Sequence, residues 1–91
     1  MAIKTRKLPK FNNQLQIYTD GDYVTNPFSG EGYELDAEEL AIYDYIIGLQ
    51  YIIERHGGAF NPATAIYQKD MRKGLDWFRK YNAEAYMVLL D

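Results

Sequence analysis

Few residues in this chain are of a type that does chemistry. There is one histidine, His56, and no cysteine, so neither thiolate catalysis nor a disulfide framework nor a Cys–His metal set can be assembled. His56 precedes Gly57 at the end of a helical pattern, where free backbone carbonyls are its expected partners. The hydroxyl side chains besides the tyrosines are Thr5, Thr19, Thr25, Ser29 and Thr64, three of them close together in irregular sequence, and no Ser/His/Asp set can be drawn from them. Asp20, Asp22 and Glu31 match the first, third and last ligand positions of a calcium-binding loop. The match ends there, because Val24 stands where a ligand is needed and Thr25 where the sharp turn requires glycine. No metal and no cofactor is expected. Asp70 is the acid out of place. It falls on the apolar face of a helix near Trp77 and Tyr81, where a tyrosine hydroxyl or a backbone amide would satisfy it. A small enzyme or ligand-binding protein, if there were one here, would be built around Asp70 and the tyrosines; no catalytic residue is assigned.

Charge is the next candidate for function. The net charge is −3, unevenly spread: residues 1–10 hold four bases and no acid, and residues 11–54 hold nine acids and no Lys or Arg. Lys69, Arg72, Lys73, Arg79 and Lys80 share one face of a helix. Such a face could neutralise phosphates, with Tyr67, Trp77 or Tyr81 at its border to stack on bases, which makes a nucleic-acid-binding module the alternative reading. The competing expectation is internal: Arg79 and Lys80 would lie beside Glu38, Glu39 and Asp44 of the preceding helix, and the acidic net charge disfavours nucleic acid.

The element that must position these groups is a long helix over Asp36–Gly58. Asp36 and Glu39 have capping-box spacing, Leu35 and Leu40 that of a hydrophobic staple, and Gly57 can close the helix in the left-handed conformation. Its apolar residues fall in two stripes. Ile42, Tyr45, Ile46, Leu49, Ile52 and Ile53 form the broader; Leu40, Tyr43, Ile47 and Tyr51 form the second, almost opposite. A helix apolar on two sides is packed on two sides. The second stripe is therefore expected to be an interface, covered by residues 14–35 and 83–90 of the same chain or by a second copy, with a dimer favoured.

Asn61-Pro62 predicts the start of a second helix running to about Tyr81, with Ile66, Tyr67, Met71, Leu75, Trp77 and Phe78 on its apolar side. A short connection folds the two helices into an antiparallel hairpin, and Gly48 and Gly74 mark their expected closest approach. Residues 83–90 read as a third helix capped by Asn82 or as a buried strand, and Ala83, Glu84 and Ala85 favour helix. Before the central helix, residues 14–25 predict a β-hairpin about Asp20-Gly21, and residues 26–34 a loop pinned by Phe28 and Tyr33. Residues 1–13 predict a basic, flexible arm without the apolar run of a secretory signal.

The runs NPFSGEGYELDAEELAIYDYI and NAEAYMVLLD, with the Asn-Pro helix between them, resemble small uncharacterised proteins of marine tailed phages over roughly residues 26–47 and 61–91. The resemblance implies a viral origin, in a host cytoplasm or a virion, and carries no functional residue. The expectation is one mainly helical domain over residues 14–91: a long antiparallel helical hairpin, a short C-terminal helix and an N-terminal β-hairpin and loop packed on them. Its expected role is a non-enzymatic interaction or structural module, a phage accessory or virion-associated protein acting as a homo-oligomer, with self-association or an unidentified protein as partner. No apolar run is long enough to span a membrane.

Overall fold

The computed structural model describes residues 6–58 and 60–91. Its elements are β1 (Asp22–Thr25), β2 (Gly32–Leu35), α1 (Ala37–Arg55), α2 (Ala65–Tyr81) and α3 (Ala83–Ala85), the last continuing as a π-helical turn over Tyr86–Leu90. The chain is mainly α-helical, with one two-stranded antiparallel sheet among the described residues.

Local chemistry sets the helix ends. The Asp36 carboxylate accepts the Glu39 N–H and the Glu39 carboxylate accepts the Asp36 N–H, both at 2.9 Å, which completes the capping box. Leu35 is buried, and Leu40 packs on the same apolar cluster. At the far end the His56 N–H reaches the carbonyls of Ile52 and Ile53, so His56 closes the helix through its backbone. Gly57 then turns left-handed at φ 93°. Asn61 accepts the Ala63 N–H at 3.0 Å, and Pro62 opens a 3-10 turn that leads into α2. Asn82 accepts the Ala85 N–H at 3.2 Å and starts α3, and the Asp91 N–H closes on the Tyr86 carbonyl at 2.8 Å. Residues 83–90 are thus helical.

α1 and α2 pack against each other, and their partners run in opposite order along the chain. Thr64 bonds the Gly58 carbonyl, Gly74 faces Ile46, and Asn82 bonds Glu39. The core they share holds Ile42, Ile46, Trp77 and Phe78, sealed by Leu35 from β2 and by Ala85 and Leu89 from the C-terminal helix. Among the described residues no helix is long and apolar enough to cross a membrane.

Four expectations need correction. The strands are not 14–19 and 23–25 about Asp20-Gly21; β1 pairs with β2, Val24 opposite Tyr33 and Thr25 opposite Gly32. The turn lies at Asn26–Glu31, inside the expected loop, because Asn26 organises it. The Asn26 side chain accepts the N–H groups of Phe28 and Ser29, and its N–H reaches the Glu31 carbonyl. Phe28 does not pin this loop, being 98% exposed; Tyr33 does, donating to Asn82 at 3.3 Å. Finally, the expected arm is anchored from Arg6 onward. The Lys7 carbonyl accepts the Trp77 indole N–H at 3.1 Å, Asn12 bonds Asp70, and Leu8 and Phe11 pack on the core. Lys4 lies outside the described residues.

Of the two helix glycines, only Gly74 marks a close approach. A Cβ there would lie 2.8 Å from Ile46 Cγ1, whereas one on Gly48 would meet nothing within 4 Å. Ile46 is fully buried and cannot swing aside. Gly74→Ala is therefore expected to lose stability, the overpacking cost of about 1–3 kcal/mol exceeding the gain in helix propensity. Gly48→Ala is expected to gain up to about 1 kcal/mol. Urea denaturation checks both, and equal shifts in the two variants would refute the assignment.

Candidate functional site

Two clusters of polar side chains among the described residues are buried around an acid and fully engaged. The first centres on Glu39, a buried residue. One of its carboxylate oxygens caps α1; the other accepts Arg6 at 3.0 Å and the Asn82 amide at 2.7 Å. Arg6 also bonds Asp36 at 2.6 Å and Glu38 at 2.8 Å, and its guanidinium lies 5.0 Å from the centre of the Trp77 ring. Burial works against the Arg6 charge, but the bonds and fields of the three acids outweigh it and hold its pKa above the usual value. The cation that meets the acids at the start of α1 is thus Arg6 from the N-terminal segment. The expected Arg79 and Lys80 lie elsewhere: Arg79 pairs with Asp76 at 3.1 Å and donates to the Tyr86 hydroxyl, and Lys80 sits over the Tyr81 ring.

The second cluster centres on Asp70, 1% exposed. Both expected kinds of partner are present. The Tyr45 hydroxyl donates to it at 2.7 Å, the Asn12 backbone N–H at 2.9 Å and the Asn12 side-chain amide at 2.9 Å. Three donors on one buried carboxylate make a clip that holds residue 12 to α1 and α2. Among the described residues every buried polar side-chain atom has a partner, and no group of acids or histidine is arranged to hold a metal ion.

What is left unengaged lies on the surface. On α1, Leu40 of the second stripe is half-buried and Tyr43 buried: the segment around Tyr18–Gly21 lies beside Leu40, Tyr18 donates to Asp44 at 2.7 Å, and Tyr43 belongs to the core. Ile47 and Tyr51 are 39% and 62% exposed. Phe60 and Ile66, near the connection between the two helices, are exposed as well. A second surface is a groove of about 510 Å³ between residues 7–10 and α2. Lys7, Lys10, Lys73 and Lys80 line its rim, with Leu8, Pro9 and Tyr81 between them. Lys73 donates to the Lys10 carbonyl at 2.8 Å, which brings the two rows of lysines together. Trp77 is 4% exposed and covered by Arg6, so no indole face is open for a base to stack on. Of the basic face read from the sequence, Lys73 and Lys80 join this groove, Arg72 and Arg79 line a separate one of about 700 Å³ between α1 and α2 with Gln50 and Met71, and Lys69 is exposed. In the sequence Lys7 and Lys10 belong to the expected basic arm. Nothing in their own spacing joins them to α2; the link is made by the Trp77 and Lys73 bonds to their carbonyls.

Comparison with known proteins returned no match among family models, curated proteins or solved structures.

Two outcomes follow from the polar clusters. Arg6→Ala leaves Glu39 buried with two of its three partners and is expected to cost about 2–4 kcal/mol. Arg6→Lys should recover little of this, because a single ammonium cannot reach three acids in a fork. Chemical denaturation that finds Arg6→Ala within error of wild type refutes the role of this pair. For Asp70 the readout is alkaline pH. Burial first, and the Asp70 carboxylate second, push the Tyr45 hydroxyl above the ordinary tyrosine value of about 10. Its contribution to stability is complete below that pH and is lost as pH rises through the higher folded-state value. Tyr45→Phe should therefore flatten the alkaline fall of stability. Tyr81 shifts the other way, lowered by the Lys7 N–H and by Lys80 against the effect of burial, so in an ultraviolet phenolate titration Tyr81→Phe removes an early-titrating tyrosine and Tyr45→Phe a late one.

Proposed function

We propose that this chain is a non-enzymatic interaction module that self-associates through the second half of α1. The observation that carries the reading is the way the second stripe is divided. Leu40 is half-buried and Tyr43 buried by the chain itself, while Ile47 and Tyr51 continue the same stripe with greater exposure. Taken as the scaffold, α1 and α2 form a long antiparallel hairpin. Its first half is wrapped by the N-terminal segment, β1, β2 and the C-terminal helix; its far half carries exposed apolar side chains. The molecule extends 46 Å along its longest axis and only 21 Å along its shortest, and exposed apolar surface on an elongated body of this kind is a common site of association.

The partner in this reading is a second copy. A two-fold axis across Ile47 sets the same strip of both subunits against itself, the commonest way for identical chains to pair. Tyr51 suits the edge of such a contact, since its ring is buried while its hydroxyl stays wet. Arg55 already stacks over that ring at 5.7 Å. The engaged state of Asp70 supports a non-enzymatic role, because its oxygens are taken up by Tyr45 and Asn12. On the resemblance noted in the sequence, we read this module as a phage accessory or virion-associated protein.

Light scattering in high salt, which screens charge contacts and leaves apolar ones in place, tests the proposal. The expected mass is that of a dimer. Ile47→Asp, a substitution at a half-exposed position, is expected to give a folded monomer. A wild-type mass of one subunit at every concentration overturns the reading.

A further inference from the structure

The β1–β2 turn holds an apolar side chain out into solvent, and it is built to do so. Phe28 is 98% exposed on a turn closed by two backbone bonds, Asn26 N–H to the Glu31 carbonyl at 2.7 Å and Gly30 N–H to the Asn26 carbonyl at 2.9 Å. The Asn26 side chain accepts the Phe28 N–H at 2.8 Å and donates to the Val88 carbonyl at 3.0 Å, which fixes the turn to the C-terminal helix. A phenyl ring on a restrained turn loses little conformational freedom on docking. Around it the hairpin is acidic: Asp22, Glu31 and Glu34 are exposed, and no Lys or Arg lies between residues 11 and 54. The groove between residues 7–10 and α2 has the converse character. Its rim carries four lysines, and its one acid, Asp76, is paired with Arg79.

We propose that the Phe28 turn of one copy docks into the lysine-rimmed groove of the next. Phe28 would lie on Leu8, Pro9 and Tyr81, and Glu31 and Glu34 would meet the lysines. Within one chain the two surfaces do not meet, since Phe28 is almost wholly exposed. A second copy is favoured over nucleic acid on three counts. The chain is acidic overall, which repels a polyanion at a distance. The buried Trp77 offers no stacking face. And the turn supplies an apolar anchor with acidic flanks, the charge complement of a groove lined by Leu8, Pro9 and four lysines. Each copy carries one turn and one groove, so the contact is heterologous and propagates into open chains or rings. This distinguishes it from two-fold pairing through Ile47, on which it does not depend.

The test uses the full chain carrying Ile47→Asp, so that pairing through α1 is absent, in low salt. Sedimentation velocity is expected to show mass growing with concentration past the dimer, and growth should be suppressed by added salt. Phe28→Ala is expected to weaken association about tenfold or more. Lys10→Glu/Lys80→Glu should do the same, and both changes fall on exposed side chains, so circular dichroism should be unchanged. The decisive arm mixes the two variants. One keeps a groove and the other a turn, so the mixture should form a one-to-one pair and nothing larger. Charge reversal by Glu31→Lys/Glu34→Lys should abolish chain growth and be rescued by the Lys10→Glu/Lys80→Glu partner. An Ile47→Asp chain that stays monomeric in low salt overturns the proposal, as does a mixture that fails to pair. Lysine-dependent binding of a thymidine oligonucleotide without self-association would assign the groove to nucleic acid instead.

Discussion

The Glu39 carboxylate is the junction on which the rest of the structure depends. Through one oxygen it caps α1, and through the other it holds Arg6 and Asn82. Asn82 in turn starts α3 through the Ala85 N–H and receives the Tyr33 hydroxyl from β2. One buried acid thereby links the N-terminal segment, the sheet, the start of α1 and the boundary between α2 and α3. A charge in that position is tolerable only if it is fully partnered, because the low local dielectric magnifies both the attraction of a partner and the penalty of losing one. This makes Arg6 part of the fold. Its guanidinium meets three acids and the Trp77 ring at once, a task that suits its planar fork of donors.

How far the fold is legible in the sequence follows the distance over which each interaction acts. The ends of α1 and α2 and the helical start of residues 83–90 can be read because Asp36, Asn61 and Asn82 each bond an amide within three residues. The strand pairing cannot be read the same way. Asp20-Gly21 and Asn26–Gly30 are both plausible turns by composition, and the choice is made by Asn26, which also bonds the Val88 carbonyl far along the chain. The class of partner for Asp70 follows from its place on an apolar face; that Asn12 supplies two of the bonds does not. Gly48 and Gly74 look alike in sequence, and only the packing of Ile46 separates them.

The surfaces show the same limit. A block of like charge indicates that something must meet it, without saying what. The acids that open α1 are met by Arg6, so Arg79 is free to pair within its own helix, and Lys73 and Lys80 face the lysines of residues 7–10 across a groove. The amphipathic pattern of α2 locates its cations but not their company. Phe28 is the instructive residue. An aromatic side chain in a loop is ordinarily read as an anchor on the core, since exposure forfeits its hydrophobic gain. Here the hydrogen bonds of Asn26 fix the turn without needing the ring.

Polar and apolar side chains are placed against the usual pattern. Glu39 and Asp70 are buried and bonded, whereas Ile47, Tyr51 and Phe28 stand exposed on a helix and a restrained turn. Neither buried acid is left to face solvent, since donors take up the oxygens of each. The two buried acids are instead spent on tying the N-terminal segment to α1 and α2, and the tie has a consequence for the surface. By drawing residues 7–10 alongside α2 it lays their lysines opposite Lys73 and Lys80, so a groove lined by four lysines exists only while the segment is held. The internal polar bonds that make the fold thus also create its most distinctive outer surface, and weakening the Arg6 or Asp70 clip would disperse that surface without altering any lysine in it.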